Sequence, residues 1–344
     1  MAAGKGGVCR RRDPRIVTRS LALTIAALAL VRPGTAMAQT GDLIERDTVV
    51  VTGTIRLPAT LTLPAGAVHA PAIVLVHGSG PNDRDETVGA NKPFRDLALG
   101  LARRGVVVLR YEKRSRAAPL SFMGRPFTVD DEVVDDALSA VVLLRGLPEV
   151  DPNRVVVLGH SLGGTLAPRI GARDTTLAGL VILAGATRPL PDLIDEQLAY
   201  LRALPGADTV ALDRALGSMA PGLAAVRALT PADSASNQMY LGAPAAYWLD
   251  LARYNPVAVA VRLPMPILIL QGGRDYQVTR VDLAGWRAGL GGRGTVQIRE
   301  YPSLNHLFMA GTGPSGPAEY AVAGSVDPRV IADIADWILA LPPR

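Results

Sequence analysis

The stretch Val155-Val156-Val157-Leu158-Gly159-His160-Ser161-Leu162-Gly163-Gly164 decides the fold. Its first four residues are apolar and mostly β-branched, the pattern of a short strand buried on both faces. A glycine-flanked serine follows, and from Leu162 the chain takes up helical spacing. A G-x-S-x-G sequence between a strand and a helix forces its serine onto a sharp, strained turn. That turn sets the Ser161 hydroxyl at a helix N-terminus, where backbone N–H groups favour developing negative charge. A serine so placed points to nucleophilic acyl transfer.

Outward from this turn, strands and helices alternate. Asp47 to Leu63 mixes β-branched and polar residues and predicts two or three antiparallel strands, with Gly53 and Pro58 as breaks. Short apolar strands are expected at 72–76, 106–109, 155–158, 180–183 and 267–270, and a last strand at 295–299. Helices are expected at 96–104, 130–144, after Ser161, at 279–290 and at 327–341. Asp151-Pro152-Asn153 reads as a turn. This order implies an α/β fold with a mostly parallel central sheet and helices on both faces. More than 80 residues separate Leu183 from Ile267, far more than one crossover needs. Residues 188–258 therefore read as an inserted helical cap, splitting a core of 45–187 and 259–341.

Partners for Ser161 are expected at the same edge of the sheet, where parallel strands end. Gln271-Gly272-Gly273-Arg274-Asp275 closes the apolar strand at 267–270, and Asp275 is the candidate acid. Asn305-His306-Leu307 follows the last strand, so His306 is the candidate base, in the chain order Ser, Asp, His. His77-Gly78-Ser79-Gly80 follows the strand at 72–76 and has the form of an oxyanion loop. Its donor would be the N–H of Ser79, paired with that of Leu162. His77 is read as holding that loop, and His160 as projecting away from the nucleophile. In the cap, Tyr247 and Trp248 are candidate walls of an acyl pocket. Asp83-Arg84-Asp85-Glu86 and Glu112-Lys113-Arg114 also follow strands, and read as ion pairs near the mouth of the site.

Six segments together resemble the α/β-hydrolase superfamily over residues 45 to 341. They are HGSGPNDRDE (77–86), KPFRDLA (92–98), LRYEKR (109–114), GHSLGG (159–164), PILILQGGRDYQV (266–278) and LNHLF (304–308). More narrowly, the chain resembles the bacterial esterase and serine-aminopeptidase-like branch with an inserted cap. The resemblance implies an α/β-hydrolase fold and hydrolysis of a small-molecule carboxylic ester through an acyl-enzyme. A short or small acyl group is expected. A serine aminopeptidase or amidase would use the same triad, with Asp192, Asp195, Glu196 or Asp250 binding a free amine. The peptidase members usually read His-Gly-Gly-Pro-Gly where this chain reads HGSG. A non-catalytic binding protein on the same fold is the alternative outside enzymes.

Composition sets the remaining bounds. Hydrophobic residues at 49% against 19% charged exclude a disordered chain. Residues 1–38 read as a cleaved leader, with five arginines before a largely apolar run from Leu21 to Val31 and small residues at Ala36 and Ala38. Eleven residues at ~1.5 Å each reach only about half-way across a bilayer core, so no stable membrane anchor is expected after cleavage. Removing the leader takes seven basic residues and one acid from totals of 36 and 31, leaving 29 against 30. The basic balance thus belongs to the leader and points to no nucleic-acid partner. The single cysteine, Cys9, leaves as well. With no H-E-x-x-H and scattered histidines, no metal and no cofactor are expected. The destination is periplasmic or secreted. N-terminal sequencing of the exported protein is expected to begin at Gln39; a mature chain that retains residues before Leu21 contradicts the leader.

Overall fold

The computed structural model describes residues 42–343, so the leader expected at 1–38 lies outside the described residues. Strands β1 (Leu43–Thr52) and β2 (Ile55–Pro64) come first, followed by β3 (Ala70–Val76), α1 (Pro93–Ala102), β4 (Val107–Tyr111) and α2 (Arg114–Ala117). Next are α3 (Asp135–Arg145), β5 (Val150–His160), α4 (Leu162–Arg173) and β6 (Gly179–Leu183). A mainly helical stretch then carries α5 (Leu190–Ala203), α6 (Thr209–Arg227), the short strands β7 (Met239–Tyr240) and β8 (Ala243–Pro244), α7 (Ala245–Arg253) and α8 (Pro256–Ala260). The chain continues through β9 (Ile267–Gly272), α9 (Arg280–Leu290), β10 (Val296–Tyr301) and α10 (Pro328–Ala340). Among the described residues, no helix is long and apolar enough to cross a membrane.

Eight strands form one sheet in the order β1-β2-β4-β3-β5-β6-β9-β10. The β1–β2 and β2–β4 pairs are antiparallel, and every later pair is parallel. The two-residue period of a strand explains why the central strands read as unbroken apolar runs. In β3, Ala72, Val74 and Val76 enter one core layer while Ile73 and Leu75 enter the other. In β5, Val155 and Val157 face the first layer, Val156 and Leu158 the second. Buried residues of α3, α4 and α9 complete the first layer, those of α1 and α10 the second. Each fully buried Val, Leu or Ile contributes about 1.5–3 kcal/mol relative to exposure, so this two-sided burial dominates the folding of the sheet.

Two expectations need correction. Pro58 does not break its strand: it lies inside β2, opposite Val49. Its carbonyl accepts from the Glu112 N–H at 2.8 Å, so its own nitrogen faces the β4 side as well. The β2–β4 ladder begins only at Ala59, which leaves the missing N–H of Pro58 without a duty. Asp151-Pro152-Asn153 is no free turn but part of β5. Pairing with β3 jumps from Ala70↔Val150 to Ala72↔Val155, and the Asp151 carboxylate accepts from the Asn153 N–H at 2.9 Å within that irregularity. The helix expected from residue 130 opens with a wider turn over Asp130–Val134 before α3.

Candidate active site

The central strands deliver their loops to one edge. β5 runs straight into Ser161, whose backbone sits at φ 53°, ψ −116°. A non-glycine residue there carries strain of about 1–3 kcal/mol. The flanking glycines are sterically required. A Cβ on Gly159 would lie 2.0 Å from the carbonyl oxygen of Gly163, and one on Gly163 would lie 2.3 Å from that of Val76. The Ser161 N–H donates to the Leu183 carbonyl at 2.9 Å, anchoring the turn to β6. Leu162 then opens α4, where the first N–H groups have no partner in their own helix.

Asp275 lies in the turn after β9, held by four donors. Its Oδ1 accepts from the N–H groups of Gln277 (2.8 Å) and Val278 (3.0 Å). Its Oδ2 accepts from Gln271 Nε2 at 3.1 Å and from His306 Nδ1 at 2.7 Å. A carboxylate only accepts here, so Nδ1 carries the proton and Nε2 is left as the basic nitrogen. His306 follows β10 in a turn shaped by Asn305, whose side-chain oxygen accepts from the N–H groups of Leu307 (3.0 Å) and Met309 (3.1 Å). Asp275 and His306 are both buried.

The loop after β3 closes over the turn. A Cβ on Gly78 would lie 3.1 Å from that of Ser161. The Gly78 N–H donates to Glu86 Oε1 at 2.6 Å, and the Gly78 carbonyl accepts from Lys113 Nζ at 2.8 Å and Asn82 Nδ2 at 3.2 Å. Glu86, at φ 51°, is buried beside His160, with Oε2 3.0 Å from Nδ1. His160 Nε2 in turn contacts the His306 carbonyl at 3.0 Å. His160 thus points away from the cavity and into this pair. His77 packs its ring between Phe94 and Tyr111, and burial pushes its pKa down to about 4 against the opposing pull of Glu86. It is a neutral packing residue.

Two adjoining cavities open at this edge. One, of about 290 Å³, is lined by Ser161, Leu162, Ser79, Trp248 and Tyr254. The other, of about 690 Å³, is mostly apolar and shares Ser79 and Trp248, adding Phe122, Glu132 and Tyr247. Trp248 Nε1 donates to the Tyr240 carbonyl at 2.7 Å, and the Tyr247 hydroxyl to Glu132 at 2.9 Å. Arg84 and Arg114 line neither of these two cavities; Arg84 borders a separate polar one with Asp83 and Arg110. Arg84 pairs with Glu112 and Asp47, and Arg114 with the fully buried Asp136. The structure therefore brings Ser161, Ser79 and Leu162 to one cavity, with the Asp275–His306 pair joined through His160 to the adjoining turn. Glu86, Asn82, Lys113, Gln271 and Asn305 are the site residues that sequence reasoning missed. Their common signal is a polar residue within one of the six motif segments.

Burial alone would raise the carboxyl of Glu86, but the His160 imidazolium holds it below its ordinary value; burial would lower His160, and Glu86 more than reverses that. The imidazole side of the pair therefore stabilises the fold below about pH 6.5 and is lost as pH rises through the elevated His160 value. The carboxylate side is present above about pH 4.5 and is lost as pH falls through the depressed Glu86 value. Glu86→Gln keeps an acceptor for Gly78 but strands the imidazolium. Its cost is expected below the ~3–5 kcal/mol of a trapped buried charge, because His160 can shed its proton. Thermal melts should show the gap to wild type widest near pH 6 and narrowing towards pH 9; a gap independent of pH would mean the pair is not ionised.

The family model described as the Alpha/beta hydrolase family matches residues 73–323. Esterase EstD of Thermotoga maritima is 42% identical over 295 residues, covering 86% of this chain and 68% of the relative. Quorum-quenching protein AidA of Acinetobacter baumannii is 31% identical over 127 residues, covering 37% of this chain and 39% of its own length. Among solved structures, Est1E from Butyrivibrio proteoclasticus with ferulic acid bound superposes at TM-score 0.56 and 14% identity, covering 86% of this chain and 98% of that one. A Pyrococcus furiosus esterase superposes at 0.55 and 15%, covering 86% and 92%. On the family match and the relation to EstD, the chain belongs to the alpha/beta hydrolase family.

Proposed function

We propose that the chain is a carboxylesterase-type serine hydrolase in which Ser161, His306 and Asp275 act as the triad. The single observation that carries the reading is the strained Ser161 turn lining a cavity, with Asp275 bonded to His306 in the loops after β9 and β10 of the same sheet. In this reading His306 Nε2 takes the Ser161 proton as the hydroxyl attacks the ester carbonyl. The N–H groups of Ser79 and Leu162 stabilise the oxyanion, and Asp275 stabilises the imidazolium. His306 returns the proton to the departing alcohol, and water then releases the acid. The 42% identity to an esterase supports an ester as substrate.

The amine-binding alternative needs a carboxylate free to face the cavity. The four candidates are instead engaged by arginines: Asp192 and Asp195 by Arg227, Glu196 by Arg188, and Asp250 by Arg169. This favours the ester reading. Residues 188–258 are read as the cap, because α5 and α7 supply cavity walls through Leu193 and Trp248. Export of the mature chain to the periplasm or medium remains part of the proposal.

Ser161→Ala and His306→Ala are each expected to lower kcat by about 10⁴-fold or more, and the double variant to be little worse, since the members act as a unit. Asp275→Asn is expected to cost about 10⁴ by the tautomer it imposes. Steady-state kinetics on p-nitrophenyl butyrate measure both; near-wild-type turnover by Ser161→Ala would overturn the assignment.

The cavity that Ser161 itself lines, about 290 Å³, sits at the small end of ligand pockets, typically ~300–1,000 Å³, and shares its Ser79 and Trp248 walls with the larger apolar one. Acetyl to butyryl esters are therefore expected to exceed chains of ten or more carbons in kcat/KM. Trp248→Ala should shift the optimum to longer chains. It is a sharper probe than Tyr247, whose hydroxyl is committed to Glu132. A preference for palmitoyl esters would show that the insertion serves a lipid-binding lid.

A further inference from the structure

Lys113 is a buried lysine that the triad does not use. Its Nζ donates to the Gly78 carbonyl at 2.8 Å and lies 3.3 Å from Glu132 Oε1. Glu132 is itself buried, and its other oxygen accepts from the Tyr247 hydroxyl at 2.9 Å. A buried lysine–glutamate pair is costly to desolvate and contributes little net stability, so its position calls for another account. The Gly78 carbonyl and the Ser79 N–H belong to one planar trans peptide, in which C=O and N–H point in opposite directions. Whatever fixes the carbonyl therefore aims the N–H.

We propose that Lys113 is a positioning residue for the oxyanion hole, which orients and polarises the Gly78–Ser79 peptide through the Gly78 carbonyl. The inference rests on the acyl-transfer reading, in which the Ser79 N–H receives the oxyanion. Two donors hold the carbonyl, Lys113 Nζ and Asn82 Nδ2. The Glu86 carboxylate takes the N–H of Gly78, the peptide unit before it. With both sides of Gly78 fixed, the Ser79 N–H is held in one orientation beside the cavity that Ser79 lines. A charged donor withdraws electron density from the carbonyl more strongly than a neutral one, and the same amide then presents a more positive N–H. Glu132 neutralises the ammonium at longer range, so the effect stays local to this peptide. Glu132 and Tyr247 keep Lys113 from swinging into the larger cavity that they line.

The test compares wild type with Lys113→Met/Glu132→Gln, which removes both buried charges together, and with Asn82→Ala, a milder change at a partly exposed residue. Two readouts separate positioning from mere packing. The first is kcat against KM on p-nitrophenyl butyrate. The second is the affinity of an alkyl trifluoromethyl ketone, whose serine adduct places an oxyanion in the hole, against that of the parent methyl ketone. Loss of a whole oxyanion donor costs ~10²–10³ in kcat. The double variant is expected to lose about 10- to 100-fold in kcat and in trifluoromethyl ketone affinity, with KM and methyl ketone binding within about threefold. Asn82→Ala, which removes the other donor to the same carbonyl and a bond to the Ser79 carbonyl, should show the same pattern at a few-fold. If the double variant does not fold, unchanged trifluoromethyl ketone affinity in Asn82→Ala overturns the premise that holding the Gly78 carbonyl sets the donor. Unchanged trifluoromethyl ketone affinity in a folded variant, or a rise in KM alone, overturns the role of Lys113 and leaves the triad standing. A wild-type enzyme that binds both ketones equally removes the oxyanion hole at Ser79, and the acyl-transfer reading falls together with Lys113.

Discussion

Three loops converge on the buried Glu86–His160 contact, and the geometry of the edge depends on it. Glu86 takes the Gly78 N–H with one oxygen and faces the His160 imidazole with the other. His160 reaches the His306 carbonyl with its second nitrogen. Loops after β3, β5 and β10 are thereby tied at one point in a low-dielectric setting, where charge contacts are strong and an unpaired group is costly. The strain at Ser161 persists because its surroundings over-determine it, as such strain must. On one side are the glycine contacts at 159 and 163; on the other is this pair.

Polar residues around the edge divide by what they hold. Gln271 and the N–H groups of Gln277 and Val278 orient Asp275. Asn305 shapes the turn carrying His306. Lys113 and Asn82 hold the Gly78 carbonyl. Each supports one group that the proposed chemistry needs in a fixed place, which is how a site on loops acquires the precision of its rigid sheet. Charges farther out, such as Arg84 with Glu112 and Asp47, join β1 to the loops after β3 and β4. The half-exposed Arg84–Asp47 pair contributes little by itself.

The central strands were legible as elements because strands buried on both faces appear as unbroken apolar runs, as β3 and β5 do; their order in the sheet was not. Ser161, Asp275 and His306 stood out as candidates because each lies in a loop just after a strand of the same sheet. Glu86 and Lys113 did not. Both sit in charged strings that read as local ion pairs between loops, and burial of a charge depends on contacts across 74 residues for Glu86–His160 and 19 for Lys113–Glu132. Pro58 misled because a proline breaks a strand only where its nitrogen is needed. That is settled by the neighbour β4 and not by β2 itself. Asp151-Pro152-Asn153 has true turn chemistry, absorbed into a strand by the pairing of β3.

The central claim is that Ser161 is the nucleophile, and covalent trapping addresses it most directly. Reaction with a fluorophosphonate ester followed by peptide mass spectrometry should place one phosphonyl group on Ser161, with activity lost in proportion to labelling. Asp275→Asn should slow labelling without moving it. A phosphonyl group on Ser79, or full inactivation with Ser161 unmodified, would contradict the account.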